Sequence, residues 1–130
     1  MKTFDTLGIP NQIMAVLAES KYVNPTPIQE KVIPTALAGR DILGNAQTGT
    51  GKTAAFGIPA IAHLLKNDTD VVLILLPTRE LASQVLAEIV KIMGSLIKIP
   101  TALLIGGDSM DKQLRQLKMG ARLIVGHLGV

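Results

Sequence analysis

Ala46-Gln47-Thr48-Gly49-Thr50-Gly51-Lys52-Thr53 is the stretch on which the reading of this chain turns. It follows a short apolar run with the pattern of a strand, Asp41 to Asn45, and opens a helix-length pattern from Lys52 to Leu65. The spacing fits a phosphate-binding loop between a strand and a helix, with alanine where the first glycine usually stands. Small residues let backbone N–H groups curl around an anion. Lys52 carries the charge that reaches β- and γ-phosphate oxygens, and the Thr53 hydroxyl is a ligand for Mg²⁺. The positive end of the helix dipole adds to the attraction. The alternative is a glycine-rich turn with one surface lysine.

Working outward, three more apolar runs read as strands: Val71 to Leu76, Thr101 to Ile105 and Arg122 to Val125. Helical patterns separate them, Arg79 to Met93 and Asp111 to Lys118, the second after the capping residue Ser109. Upstream, Ile13, Met14, Val16 and Leu17 recur at helical spacing after Pro10. A further helix opens at the cap Thr26 with Pro27 in its first turn, carries Val32, Ile33 and Leu37, and ends at Gly39. Strands alternating with helices imply right-handed crossovers, hence an α/β fold: a parallel sheet of about four strands between two helical layers. No linker or internal repeat divides the chain, so residues 1–130 form one unit, with 1–39 preceding a phosphate-loop core over 40–130.

Hydrophobic residues make up 48% of the chain and aromatic ones 2%, so the core is built from aliphatic side chains, as in sheets buried on both faces. A net charge of +3 permits contact with polyanions without defining it. With no cysteine, disulfides, thiolate metal sites and thiol nucleophiles are excluded. The start, MKTFDTLGIPNQ, lacks the apolar stretch of a signal peptide, and the longest apolar run is too short to span a bilayer. A cytoplasmic location and no membrane partner are expected. His63 and His127 take an ordinary, non-ligand reading; His63 lacks acidic or thiol neighbours at metal-ligand spacing and reads as a surface or partly buried residue, and Asp68, Asp70 and Asp108 read as loop residues.

Upstream of the phosphate loop, Lys21 to Gln29 reads KYVNPTPIQ. The Gln29 amide offers an acceptor and donors that could pair with adenine N6 and N7, and Tyr22 could stack on a base. Yet Thr26-Pro27-Ile28-Gln29 is also a capping box, in which Gln29 reaches back to the Thr26 N–H. The residues alone leave both readings open.

With these segments in this order, nearly the whole chain resembles the DEAD-box RNA helicases. YVNPTPIQ looks like the family's Q motif, AQTGTGKT like motif I, PTRELA from Pro77 to Ala82 like motif Ia, and Gly106-Gly107 like the GG motif. Phe4 fits the isolated aromatic upstream of the Q motif, whereas Lys21 stands where glycine is usual. The resemblance implies the first part of a RecA-like domain that binds ATP with Mg²⁺. Tyr22, Thr26 and Gln29 would lie at the adenine, Ala46 to Thr53 at the phosphates, Lys52 would take the catalytic role, and Thr53 would touch the metal. It further implies RNA contacts from Pro77, Thr78, Arg79, Gly106 and Gly107. Without the family, Thr78 reads as an N-cap and Arg79 as a surface charge.

After Val125 the family continues Gly-Thr-Pro-Gly-Arg, motif Ib, whereas this chain reads Gly126-His127-Leu128-Gly129-Val130. Loss of one base from codons for the first sequence yields the second, so these residues read as an out-of-frame relic. The acidic motif II would lie downstream, so the chain alone is expected neither to hydrolyse ATP nor to unwind RNA. In the family, strands carrying motifs II and III separate the motif I and motif Ia strands; without them, a homodimer or larger oligomer formed through exposed or exchanged elements is expected. Two other readings are a small P-loop kinase and a non-enzymatic self-associating fragment.

Overall fold

The computed structural model describes residues 4, 7–19, 24–40, 52–106 and 109–127. Helix α1 (Asn11–Glu19) starts where the Pro10 carbonyl accepts from the Ile13 and Met14 N–H groups. Its spacing of Ile13, Val16 and Leu17 turns all three inward, where they are buried. Helix α2 (Pro27–Leu37) has proline at its first position, where no helical donor is lost, and continues through Pro34. The chain leaves it at Gly39 with φ 81°, a left-handed conformation suited to glycine.

Helix α3 (Lys52–Lys66) buries Ala54, Ala55, Ile58, Ile61, Ala62 and Leu64, and it too contains a proline, Pro59. Burial of the large side chains, each worth roughly 1.5–3 kcal/mol, outweighs the local helix penalty of Gly57 and Pro59. Gly57 sets how near α3 comes to the next helix: a Cβ there would sit 3.3 Å from Ile89 Cγ1.

Strand β1 (Val72–Leu76) follows, then α4 (Arg79–Met93), β2 (Thr101–Leu104), α5 (Met110–Lys118) and β3 (Leu123–His127). The three strands form a parallel sheet in the order β1-β3-β2. Pairing Ile74 and Leu103 with Val125 puts Val72, Ile74, Leu76, Leu103, Leu123 and Val125 on one face. That face packs on α4, whose Ala82, Val85, Ile89, Ile92 and Met93 are buried, with α1 and α3 behind it. The crossovers β1-α4-β2 and β2-α5-β3 run in opposite directions along the sheet, so right-handedness sets α5 against the other face. Ala102 is buried there, while Leu73 and Leu75 on β1 stay 58% and 51% exposed.

The strands shift slightly from the sequence expectation. β1 begins at Val72, β2 stops at Leu104, and β3 runs from Leu123 through His127. The reading of Gly126 and His127 as residues beyond the last strand is therefore corrected: they continue the parallel ladder, opposite Leu75 and Leu76. A Cβ at Gly126 would lie 3.4 Å from the Leu104 carbonyl oxygen, an ordinary contact distance, so the ladder does not require glycine there. The run Asp41 to Asn45, expected as a fourth strand, lies outside the described residues.

Arg122, just before β3, ties the far end of α3 to the sheet. Its Nη2 donates to the Leu64 carbonyl at 2.9 Å and to the Asn67 carbonyl, and its Nε donates to the Asp70 carbonyl at 3.2 Å. Leu64 lies in the last turn of α3, where carbonyls lack intrahelical donors, so the guanidinium serves as a long-range cap. The C-terminus of α3 is thereby held at the amino ends of the strands. With 15 residues, about 22 Å of helix, α3 starts on the side of their carboxyl ends.

Candidate functional site

Ligands of open parallel sheets collect outside the carboxyl ends of the strands. Here that rim receives the end of β1 at Pro77 and Thr78, the end of β2 at Ile105 and Gly106, and the start of α3. Lys52 and Thr53 are the first two residues of α3 and are half-buried. An ammonium and a hydroxyl at a helix start have the donor chemistry for phosphate oxygens and Mg²⁺, so these two residues fit the group expected there. Ala46, Gln47, Thr48, Gly49, Thr50 and Gly51 lie outside the described residues, as do Tyr22 and Gly107.

Thr78 is the N-cap of α4: in extended conformation, its hydroxyl accepts from the Leu81 N–H at 3.1 Å. Arg79 begins the helix and sends Nη1 to the Gly106 carbonyl at 2.9 Å. Two segments 27 residues apart, which the family resemblance sets on one wall, are thus joined side by side. The remaining guanidinium N–H groups, at a helix N-terminus, form a place where phosphate is favoured. The capping role for Thr78 and the clustering with Arg79 and Gly106 coexist.

Gln29, 3% exposed, accepts from the Thr26 N–H through Oε1 at 2.9 Å. The capping role is present. Thr26 Oγ1 is buried and has no hydrogen-bond partner among the described residues. Phe4, read as an upstream aromatic of the Q motif, is 1% exposed within the apolar core.

Sequence reasoning missed three polar contacts. His63 Nε2 lies 2.7 Å from Asp70 Oδ2 at the surface, so His63 has the acidic neighbour that its spacing did not reveal. Among the described residues, no group of three His, Cys, Asp or Glu is placed to hold a metal ion. Arg122 is the second, and the third is a pair of glutamines on α5. Gln113 Nε2 donates to the Ile105 carbonyl at 2.8 Å, and Gln116 Oε1 accepts from the Leu103 N–H at 3.3 Å. Glutamines three residues apart on an amphipathic helix beside an edge strand were the available signal. His127, at the end of β3, keeps a buried Nδ1 that finds no hydrogen-bond partner among the described residues.

The parallel sheet, its crossovers and a carboxyl rim that gathers Lys52, Thr53, Thr78, Arg79 and Gly106 define a RecA-like α/β domain. Residues 26–130 match the family model of the DEAD/DEAH box helicase, and the chain belongs to that family. It is 42% identical over 130 residues to the DEAD-box ATP-dependent RNA helicase CshA of Geobacillus kaustophilus, covering 99% of this chain and 28% of that protein. The ATP-dependent rRNA helicase rrp-3 of Neurospora crassa is 46% identical over 125 residues, 95% of this chain and 24% of the relative. Among solved structures, a DEAD box protein from the hyperthermophile Methanococcus jannaschii superposes with TM-score 0.89 at 38% identity, over 98% of this chain and 35% of that one. The RNA-helicase Prp28 from Chaetomium thermophilum, bound to ADP, gives TM-score 0.87 at 38% identity, over 99% of this chain and 33% of that one. The chain spans about a quarter of the curated relatives it matches.

Proposed function

We propose that this chain is the adenine-nucleotide-binding portion of an ATP-dependent RNA helicase, taking ATP and Mg²⁺ at the start of α3 and RNA along the neighbouring rim. The observation that carries the reading is the Arg79–Gly106 bond, which unites the two segments assigned to RNA on the side of the sheet where α3 begins. Lys52 would hold the β- and γ-phosphate oxygens and Thr53 the metal, with Ala46 to Gly51 wrapping the phosphates. Bound Mg²⁺ would offset phosphate charge and orient the terminal phosphoryl group. Gln29 would meet the adenine edge and Tyr22 its face. Thr78 and Arg79 would hold RNA phosphates, with Pro77, Gly106 and Gly107 completing that wall.

The Asp-Glu-Ala-Asp carboxylates to which the family resemblance assigns Mg²⁺ and water do not occur in this sequence. A cytoplasmic location fits the same reading; among the described residues no helix is long and apolar enough to cross a membrane. Self-association through β1, an edge strand among the described residues with Leu73 and Leu75 exposed, belongs to the proposal as well, and light scattering on the purified chain decides it.

Calorimetric titration with Mg²⁺–ATP tests the nucleotide site. Lys52→Ala should weaken binding by about 1.5–3 kcal/mol, the worth of a charge-assisted hydrogen bond. Equal affinity in the two proteins rejects the assignment.

A further inference from the structure

Among the described residues β2 pairs on one side only, with β3, so its outer edge would be a bare row of backbone groups. Helix α5 closes that edge with side chains in place of a strand. Along β2, Leu103 directs its N–H away from β3, and Gln116 Oε1 accepts it; two residues on, the Ile105 carbonyl points the same way and accepts from Gln113 Nε2. Gln113 is 3% exposed, and most of α5 is not: Leu114 and Leu117 face outward while the glutamines face the sheet. A helix that buries amides and exposes leucines is organised around those two hydrogen bonds.

The two bonds differ in what lies next to them. Leu103 sits inside the strand, held by the ladder on its other side. Ile105 is past the end of β2, and its carbonyl belongs to the peptide unit that enters Gly106. Gly106 has no side chain to limit its rotation, and its own carbonyl is the acceptor for Arg79. Holding the Ile105 peptide plane removes one of the rotations that set the direction from which the Gly106 carbonyl meets the guanidinium.

We propose that Gln113 is a positioning residue for RNA binding: by holding the Ile105 carbonyl it aims the Gly106 carbonyl at Arg79, and so orients the guanidinium presented to phosphate. The inference rests on the RNA-binding reading of Arg79 and deepens it. Gln113 touches no nucleotide and acts through Gly106. Gln116, one turn along the same helix, closes the edge without aiming anything at the rim.

The test compares Gln113→Met, Gln116→Met and Arg79→Ala in the 130-residue chain by fluorescence anisotropy with a labelled oligouridylate, and by ¹⁵N NMR of Gly106 and the Arg79 Nε–H. Gln113→Met should shift both resonances and weaken RNA binding about three- to tenfold, the net worth of one hydrogen bond. Added to Arg79→Ala, it should weaken binding no further. Gln116→Met should speed exchange of the Leu103 amide and leave RNA affinity unchanged. If Gln113→Met leaves the Gly106 and Arg79 signals in place, or if both methionine variants lose RNA affinity equally, Gln113 is only an edge cap and the proposal is overturned. A wild type that ignores the oligonucleotide, or binds it no better than Arg79→Ala, overturns the RNA reading and this proposal together; a loss confined to Arg79→Ala overturns this proposal alone. Should Gln113→Met fail to fold, Gln113→Asn, whose amide is one methylene too short to reach Ile105, carries the same expected outcomes.

Discussion

Replacing Gly94 with alanine should destabilise the fold by about 2–4 kcal/mol, from two separable causes. Gly94 ends α4 with φ 59° and ψ −150°, a region that is essentially open to glycine alone. Placing alanine there costs on the order of 1–3 kcal/mol in backbone strain, less the roughly 0.4–1 kcal/mol that alanine gains by restricting the unfolded chain. The new Cβ would also lie 2.9 Å from Val16 Cγ1. Val16 is fully buried on α1, so it has no solvent to turn into, and overpacking of this kind costs roughly 1–3 kcal/mol. Urea unfolding followed by far-ultraviolet circular dichroism measures the sum. Val16→Ala removes the clashing carbon and leaves the backbone strain, so a double-mutant cycle separates the two: the combined variant should lose about 1 kcal/mol less than the sum of the single losses. A loss below about 0.5 kcal/mol for Gly94→Ala would refute the backbone argument, that being the ordinary range of a surface substitution. Strict additivity with Val16→Ala would refute the packing argument.

Arg122→Met should lower stability by about 1–2 kcal/mol, a figure reduced for the partial exposure of the guanidinium, because the carbonyls of Leu64, Asn67 and Asp70 lose one shared donor. Hydrogen exchange should rise in residues 64–70 and leave α5 unaffected; unchanged exchange there would show that the bonds add nothing. Gln29→Ala should cost about 1 kcal/mol through the lost cap and should also reduce the preference for ATP over GTP. Stability that falls while nucleotide selectivity survives would restrict Gln29 to capping.

The elements that could be read in the sequence are those whose signals are local. Helix α4 coincides with the Arg79 to Met93 pattern because its signals are local: Thr78 caps it, the apolar positions repeat at helical spacing, and Gly94 closes it, all within 17 residues of chain. The helix starts at Lys52 and near Ser109 were legible for the same reason, and so was the parallel alternation of strands and helices. The family resemblance sets Arg79 and Gly106 on one wall, and a hydrogen bond joins those two residues. What tertiary structure decided are the contacts that depend on which strand lies beside which. The order β1-β3-β2 places Arg122 against carbonyls 52 to 58 residues earlier, and nothing near Arg122 in the sequence distinguishes it from any other surface arginine. Gln113 and Gln116 look like two polar residues on a helix until β2 is known to be an edge strand whose outward N–H and C=O groups need partners. His63 and Asp70 meet only because the turn after α3 folds back. Secondary structure is specified by neighbours within a few residues, whereas a buried donor is satisfied by whatever acceptor the topology brings within 3 Å or so, and that choice is made by the packed chain as a whole.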